Sequence, residues 1–153
     1  MGASKPRMPL TGGCQCGQIR YEIAGPPLGL YVCHCRECRK QSASAFGISV
    51  FFRSADLRLL SGETRRWSRP TKSGWALVSS FCPACGSRVW DGDKDREEEI
   101  CIKGGSLDEP PDLTDAIHIW TSRKLPGVII PDHARHHAGD PDQADGLRPR
   151  PDR

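Results

Sequence analysis

Apolar and polar residues alternate with a period of two in short stretches along the chain, and an apolar spacing of three and four residues never persists for ten positions. The pattern therefore predicts strands rather than helices. Ile19, Tyr21 and Ile23 alternate with Arg20 and Glu22, as in a strand with one buried face, and Gly25-Pro26-Pro27 ends it. Residues 28–32 read as a second short strand. The clearest strand is 46–52, where Phe46, Ile48, Val50 and Phe52 share one face. Residues 55–66 are weakly patterned around Leu57, Leu59 and Leu60, with a turn at Ser61-Gly62, and 70–74 read as a loop. Trp75, Leu77, Ser79 and Phe81 alternate again, Arg88-Val89-Trp90 follows, and residues 99–103 and 116–120 supply two more short strands. The predicted class is all-β.

Length and composition narrow this reading. At 153 residues the chain fits one domain with a core of its own. Residues 1–8 are a polar leader, 9–132 carry the pattern, and 133–153, rich in Asp, His, Arg, Pro and Gly, read as a disordered tail. No apolar run approaches the roughly 20 residues of a membrane span, and the first residues have no apolar signal core, so the expected compartment is the cytoplasm. A formal net charge of +3 is too small to argue for a nucleic-acid partner. Arg65 to Trp75 interleaves basic and aromatic residues, which reads as a solvated strand face over buried tryptophans. The acidic run from Asp91 to Glu99 puts its glycine and its final residue in the wrong places for a calcium loop, and reads as a solvated turn.

The candidate chemistry lies in the cysteines. Seven of the eight cluster as Cys14/Cys16, Cys33/Cys35/Cys38 and Cys82/Cys85, and where thiols stay reduced such spacings point to zinc before disulfides. The outer pairs, Cys14 with Cys16 and Cys82 with Cys85, can close a four-thiolate structural site between a glycine-rich turn and a strand-knuckle-strand ribbon. Such a site is worth about 10–16 kcal/mol, as much as a whole domain's stability.

Cys33, Cys35 and Cys38 then supply three ligands and leave a tetrahedral position open, the arrangement of a catalytic zinc. Two zinc ions per chain are expected. Three thiolates make zinc a poor activator of water, so a substrate thiol suits the open position better. Arg36, Arg39 and Lys40 are candidates for binding an anionic thiol such as glutathione. His34, between the ligands, is a candidate catalytic residue whose expected part is to support the site rather than to bind metal. Two other readings of the triad stand beside this one: a second structural zinc completed by His34 or Cys101, with chromatin or RNA as partner, and a redox dithiol of Cys35 and Cys38. Cys101 itself reads as an inert strand cysteine.

In this order the motifs resemble the glutathione-dependent formaldehyde-activating enzyme family, which includes the centromere protein V domain. The resemblance is carried by Gly13-Cys14-Gln15-Cys16-Gly17, Cys33-His34-Cys35-Arg36-Glu37-Cys38-Arg39, Phe81-Cys82-Pro83-Ala84-Cys85-Gly86-Ser87, Gly105-Ser106-Leu107-Asp108 and His118-Ile119-Trp120, across roughly residues 11–131. It implies a zinc-stapled fold of short antiparallel sheets, the β-tent, with the same division of cysteines into four and three. It also implies a carbon-sulfur lyase, an S-(hydroxymethyl)glutathione synthase, whose partners are glutathione and an aldehyde. Ala43 and Gly127 depart from the family pattern, standing where Gly and Trp are frequent.

Overall fold

The computed structural model describes residues 7–70, 74 and 76–141. Its centre is β4, Gly47–Arg53. This strand pairs on one side with β3, Gly29–Cys33, and on the other with β9, Glu99–Lys103, both antiparallel. From β9 the sheet continues through β8 (Arg88–Asp91) and β7 (Ala76–Phe81) to β6 (Arg65–Pro70); from β3 it continues to β10, Ile117–Ile119. The order of this seven-stranded sheet is β10-β3-β4-β9-β8-β7-β6. A second sheet holds β1 (Leu10–Gly13), β2 (Arg20–Ile23) and β5 (Leu57–Ser61), in the order β1-β2-β5.

The sheets meet over one apolar layer. Tyr21, Ile23 and Leu57 from the smaller sheet, with Ile19 just before β2, pack against Val50, Phe52, Trp90, Ile100 and Ile102 of the larger. Tyr21 meets Trp90 edge to face at 5.9 Å and shares a 2.6 Å hydrogen bond with the Ser106 hydroxyl. Each large side chain buried here contributes roughly 1.5–3 kcal/mol. That outweighs exposed ion pairs such as Arg58 with Glu22, which contribute about 0–1 kcal/mol. Arg20 and Thr11 both bond Asp108, at 2.9 and 2.6 Å, tying the small sheet to the loop after β9.

The mostly β class agrees with the alternation of the sequence, with differences in detail. β4 buries both faces rather than one, because it is central: Val50 and Phe52 face the smaller sheet, and Phe51 faces a second cluster with Tyr31, Cys33 and Cys101. Phe46 stays outside the strand, with its ring against His34. β10 pairs with β3 in parallel, against the antiparallel expectation, because the long 104–116 connection brings the chain back in the same direction. Trp67, expected to be buried, is 50% exposed, since β6 ends the order of the larger sheet. Thr71, Lys72, Ser73 and Trp75 lie outside the described residues, as do 1–6 of the leader and 142–153 of the tail.

Backbone hydrogen bonds to β10 and the residues after it also involve residues past 132. His118 donates to the Arg135 carbonyl and His137 to the His118 carbonyl, both at 2.9 Å, and Trp120 donates to the Gly139 carbonyl at 2.9 Å. Backbone pairing to the edge of β10 needs no apolar side chains, so composition alone does not disclose it.

Among the described residues a single α-helix, α1 (Arg36–Ser42), replaces the turn expected at Cys38. Seven residues are too few to show helical periodicity. The Cys35 sulfur caps it by accepting the Cys38 amide at 3.3 Å, and it ends on Ala43 in the left-handed region at φ 50°. Ser44 donates to the Arg39 carbonyl and Ala43 to the Lys40 carbonyl, the pattern that ends helices on glycine. The departure from glycine at this position thus carries a backbone cost. Replacing Ala43 by Gly should raise stability by about 1 kcal/mol in chemical denaturation of the metal-loaded protein, since only the L side chain is strained there. A variant no more stable than the parent would contradict this reading of the cap.

Candidate functional site

The four outer cysteines converge. Cys14 and Cys16 lie on the turn after β1 and Cys82 and Cys85 on the knuckle after β7, with all four sulfurs within 4.8 Å of one another. Cys14 and Cys16 are 3.5 Å apart and Cys16 and Cys82 3.7 Å, close to the roughly 3.8 Å edge of a tetrahedron with metal-sulfur bonds of about 2.3 Å. Gly17 and Gly86 turn the two knuckles at φ 82° and 77°. Polar contacts orient the sulfurs. Ile19 donates its amide to Cys14 at 3.2 Å, and the Ser87 hydroxyl lies 3.3 Å from the Cys85 sulfur while accepting the Gln15 amide at 3.0 Å. The Ser87 hydroxyl and backbone, with Cys16 beyond, bring the Cys85 thiol down to about 5, while against the Gln18 amide the neighbouring cysteines push the Cys16 thiol up to about 12.

The inner cysteines form a second cluster. Cys33 ends β3, Cys35 caps α1 and Cys38 lies in its first turn; all three are buried with their sulfurs within 4.8 Å of one another. Gly47, paired with Cys33, lets α1 approach β4: a Cβ there would stand 3.1 Å from the Cys38 Cβ. This donor set also fits a thiophilic ion. Among the described residues, neither His34 nor Cys101 brings the cluster to four. Cys101 is buried in the adjoining core. The His34 ring stacks on His118 with Nε2 3.0 Å from the His118 Nδ1, and burial, with His118 and Lys124 nearby, lowers it to about 4. The ring is therefore neutral at neutral pH.

A cavity of about 220 Å³ opens beside Cys35 and Cys38, and Asp91, Ser79 and Trp67 of one cross-strand row line part of it. Phe51 pairs with Cys101, Cys101 with Asp91, Asp91 with Ser79 and Ser79 with Trp67, so these five residues share the sheet face that α1 covers. The row changes from apolar at Phe51 to polar at Asp91 and Ser79. Asp91, buried, accepts from Ser79 at 2.6 Å and from Gln41 of α1 at 2.9 Å, and pairs with Lys103. Burial alone would lower the Lys103 ammonium, but Asp91 together with the Cys101 and Cys38 sulfurs outweighs it and holds it above its usual range. Near the edge of the sheet, Arg69 pairs with Glu37 at 3.7 Å, and Arg88 lies over the rings of Trp67 and Phe81 at 5.5 and 5.6 Å.

Comparison with known families places this arrangement. The profile described as glutathione-dependent formaldehyde-activating enzyme matches residues 9–123. The chain belongs to that family. No curated protein matches it. Among solved structures, a Rhodobacter sphaeroides protein is similar, with a TM-score of 0.54 at 23% identity over 71% of this chain and 98% of that one, which shows a shared fold.

In this family member Cys14, Cys16, Cys82 and Cys85 form one cluster and Cys33, Cys35 and Cys38 another, with His34 in neither. The basic candidates divide. Arg36 and Arg39 line an open hollow with Lys40, Ala43 and Ser44 that includes no cysteine, and of the three only Lys40 also lines the cavity beside Cys35 and Cys38. Asp91, expected in a solvated turn, belongs instead to a buried network. Gln41, Ser79, Lys103, Arg69 and Arg88 carry no motif, and only strand register brings them to one place. Alternation did place Ser79 on the face of Leu77 and Phe81, but gave no sign of the covering helix.

Ser87 joins the two knuckles through both Gln15 and Cys85. Removing its hydroxyl with Ser87→Ala should weaken metal binding at the four-cysteine site about 10-fold or more, read by competition with a chromophoric chelator. Unchanged affinity would mean that the hydroxyl does not orient the ligands.

Proposed function

We propose that the protein is a zinc-dependent enzyme of the carbon-sulfur lyase type that adds a thiol, glutathione, to formaldehyde or a related aldehyde, giving S-hydroxymethylglutathione. The observation that carries this reading is a buried cluster of three thiols, not completed by His34 or Cys101, beside a cavity. Family membership supports the choice of thiol and aldehyde. Cys14, Cys16, Cys82 and Cys85 would hold one zinc in a closed structural site, and Cys33, Cys35 and Cys38 a second, with one position open. Bound there, zinc supplies the positive charge that makes a thiol ionise at neutral pH.

The chain's own residues do the rest. β3 and the cap of α1 fix the three sulfurs on one side, so an incoming thiol must approach from the cavity. Lys40 and Lys103 bring positive charge to this region, and Asp91 holds Lys103 in place. His34, stacked on His118 and neutral, stiffens the segment between Cys33 and Cys35 without competing for metal. In the reaction one sulfur-carbon bond forms, the carbonyl π bond opens, and the proton lost by the thiol ends on the new hydroxyl. No oxidant or reductant is needed. Proximity of the thiol and aldehyde in a confined site supplies the acceleration.

Replacing one ligand from each cluster separates this reading from its rivals. Cys35→Ser should lose one zinc and the glutathione adduct seen by native mass spectrometry, with a melting temperature close to the parent's. Cys82→Ser should lower the melting temperature severely. If Cys35→Ser unfolds the protein and the parent forms no adduct, the module is structural. A single zinc, with a reversible Cys35–Cys38 disulfide, would mean a redox dithiol.

A further inference from the structure

The cavity beside the triad presents more cations than its carboxylates neutralise. Arg69 is paired with Glu37, and Asp91 is occupied by Lys103, Gln41 and Ser79. Lys40 and Arg88 remain, neither with a carboxylate partner among the described residues. Arg88 is the better placed to recognise a ligand. Its guanidinium lies against the rings of Trp67 and Phe81, which limit its freedom, and its Nη1 is buried with no hydrogen-bond partner among the described residues. A buried N–H without an acceptor is costly unless a ligand supplies one.

The position of Arg88 is a product of the fold. Between Ser80 and Phe81 the register of β7 with β8 shifts: Ser80 faces Trp90, but Phe81 faces Arg88, leaving Val89 as the extra residue of a bulge. Val89 and Trp90 both enter the core between the sheets, and Arg88 is returned to the face of Phe81 and Ser79, toward the triad. Had β8 alternated strictly from Trp90, residue 88 would instead lie on the core face. Arg88 also lines a larger groove, about 740 Å³, that runs past Gln41 and Lys103 to the Arg20 and Asp108 pair. A substrate whose sulfur reaches Cys35 and Cys38 can therefore extend past Arg88.

We propose that Arg88 is a specificity-determining residue that binds a carboxylate of the substrate thiol with its planar fork, so that the site selects thiols bearing a carboxylate over neutral thiols. This rests on the thiol-binding reading of the triad. It moves anion recognition from the α1 cations Arg36 and Arg39 to the bulged strand opposite. A bidentate guanidinium-carboxylate contact in a partly enclosed site corresponds to roughly 10- to 100-fold in affinity.

The test is calorimetric titration of the zinc-loaded protein with glutathione and with glutathione diethyl ester, whose carboxylates are masked. The parent should bind the ester at least 10-fold more weakly. Arg88→Gln should weaken glutathione by roughly 10- to 100-fold and leave the ester unchanged, so that the two ligands bind alike. Should Arg88→Gln fail to fold, Arg88→Lys carries the test: it keeps the charge but loses the fork, and should weaken glutathione several-fold and the ester not at all. Equal binding of the two ligands by the parent, equal loss of both in Arg88→Gln, or undiminished glutathione binding in Arg88→Lys would overturn the assignment while leaving the thiol site standing. A parent that binds neither ligand would overturn the thiol site and this assignment together.

Discussion

The convergence of four sulfurs from segments 66 residues apart is the constraint on which the rest of the molecule depends. The smaller sheet has three short strands, and its apolar face packs against the larger sheet. Its turn after β1 supplies two thiols, and the knuckle between β7 and β8 supplies the other two. A metal at that point would tie the small sheet to the large one, and the apolar layer of Tyr21, Phe52 and Trp90 closes over the join. The same knuckle launches β8, whose bulge sets Val89, Trp90 and Arg88 on their faces. The structural cluster thus fixes the wall opposite the triad.

The two clusters offer the same donor in different surroundings, and in the proposed function that difference would separate stability from chemistry. The outer set has four donors braced by backbone amides and the Ser87 hydroxyl, which on a tetrahedral metal would leave no position for a substrate. The inner set has three, on a strand end and the first turn of a short helix, with a polar network of Gln41, Ser79, Asp91 and Lys103 beyond. Three thiolates repel one another and gain from nearby cations. A buried ammonium held by Asp91 is a fixed charge of that kind, and needs no rearrangement when a substrate arrives.

Much of this was legible in the residues. Spacings of one and two residues between cysteines identified both clusters, because such spacings bring sulfurs onto one metal whatever the surrounding fold. Alternation identified β2, β4, β7 and β9, because each has at least one apolar face against the core. What escaped depended on partners distant in sequence. The exposure of Trp67 follows from β6 ending the larger sheet. Asp91 lies in an acidic run that looks solvated until Lys103 and Gln41 are placed beside it. α1 is shorter than two turns would require for a pattern, and the segment from Ala134 to Gly139 docks through its backbone, which composition does not report. The bulge at Val89 leaves no mark except two successive large apolar residues after Arg88.

In the proposed function one cluster is closed by four sulfurs and the other is open to a thiol. Zinc-edge X-ray absorption of the loaded protein tests it most directly. Four sulfurs at one site and three at the other average to about 3.5 per zinc, with the remainder from lighter donors. Adding glutathione should raise the average to about 4 as the light-atom shell disappears. An average already near 4 without thiol, or one near 3.5 that glutathione leaves unchanged, would contradict the account.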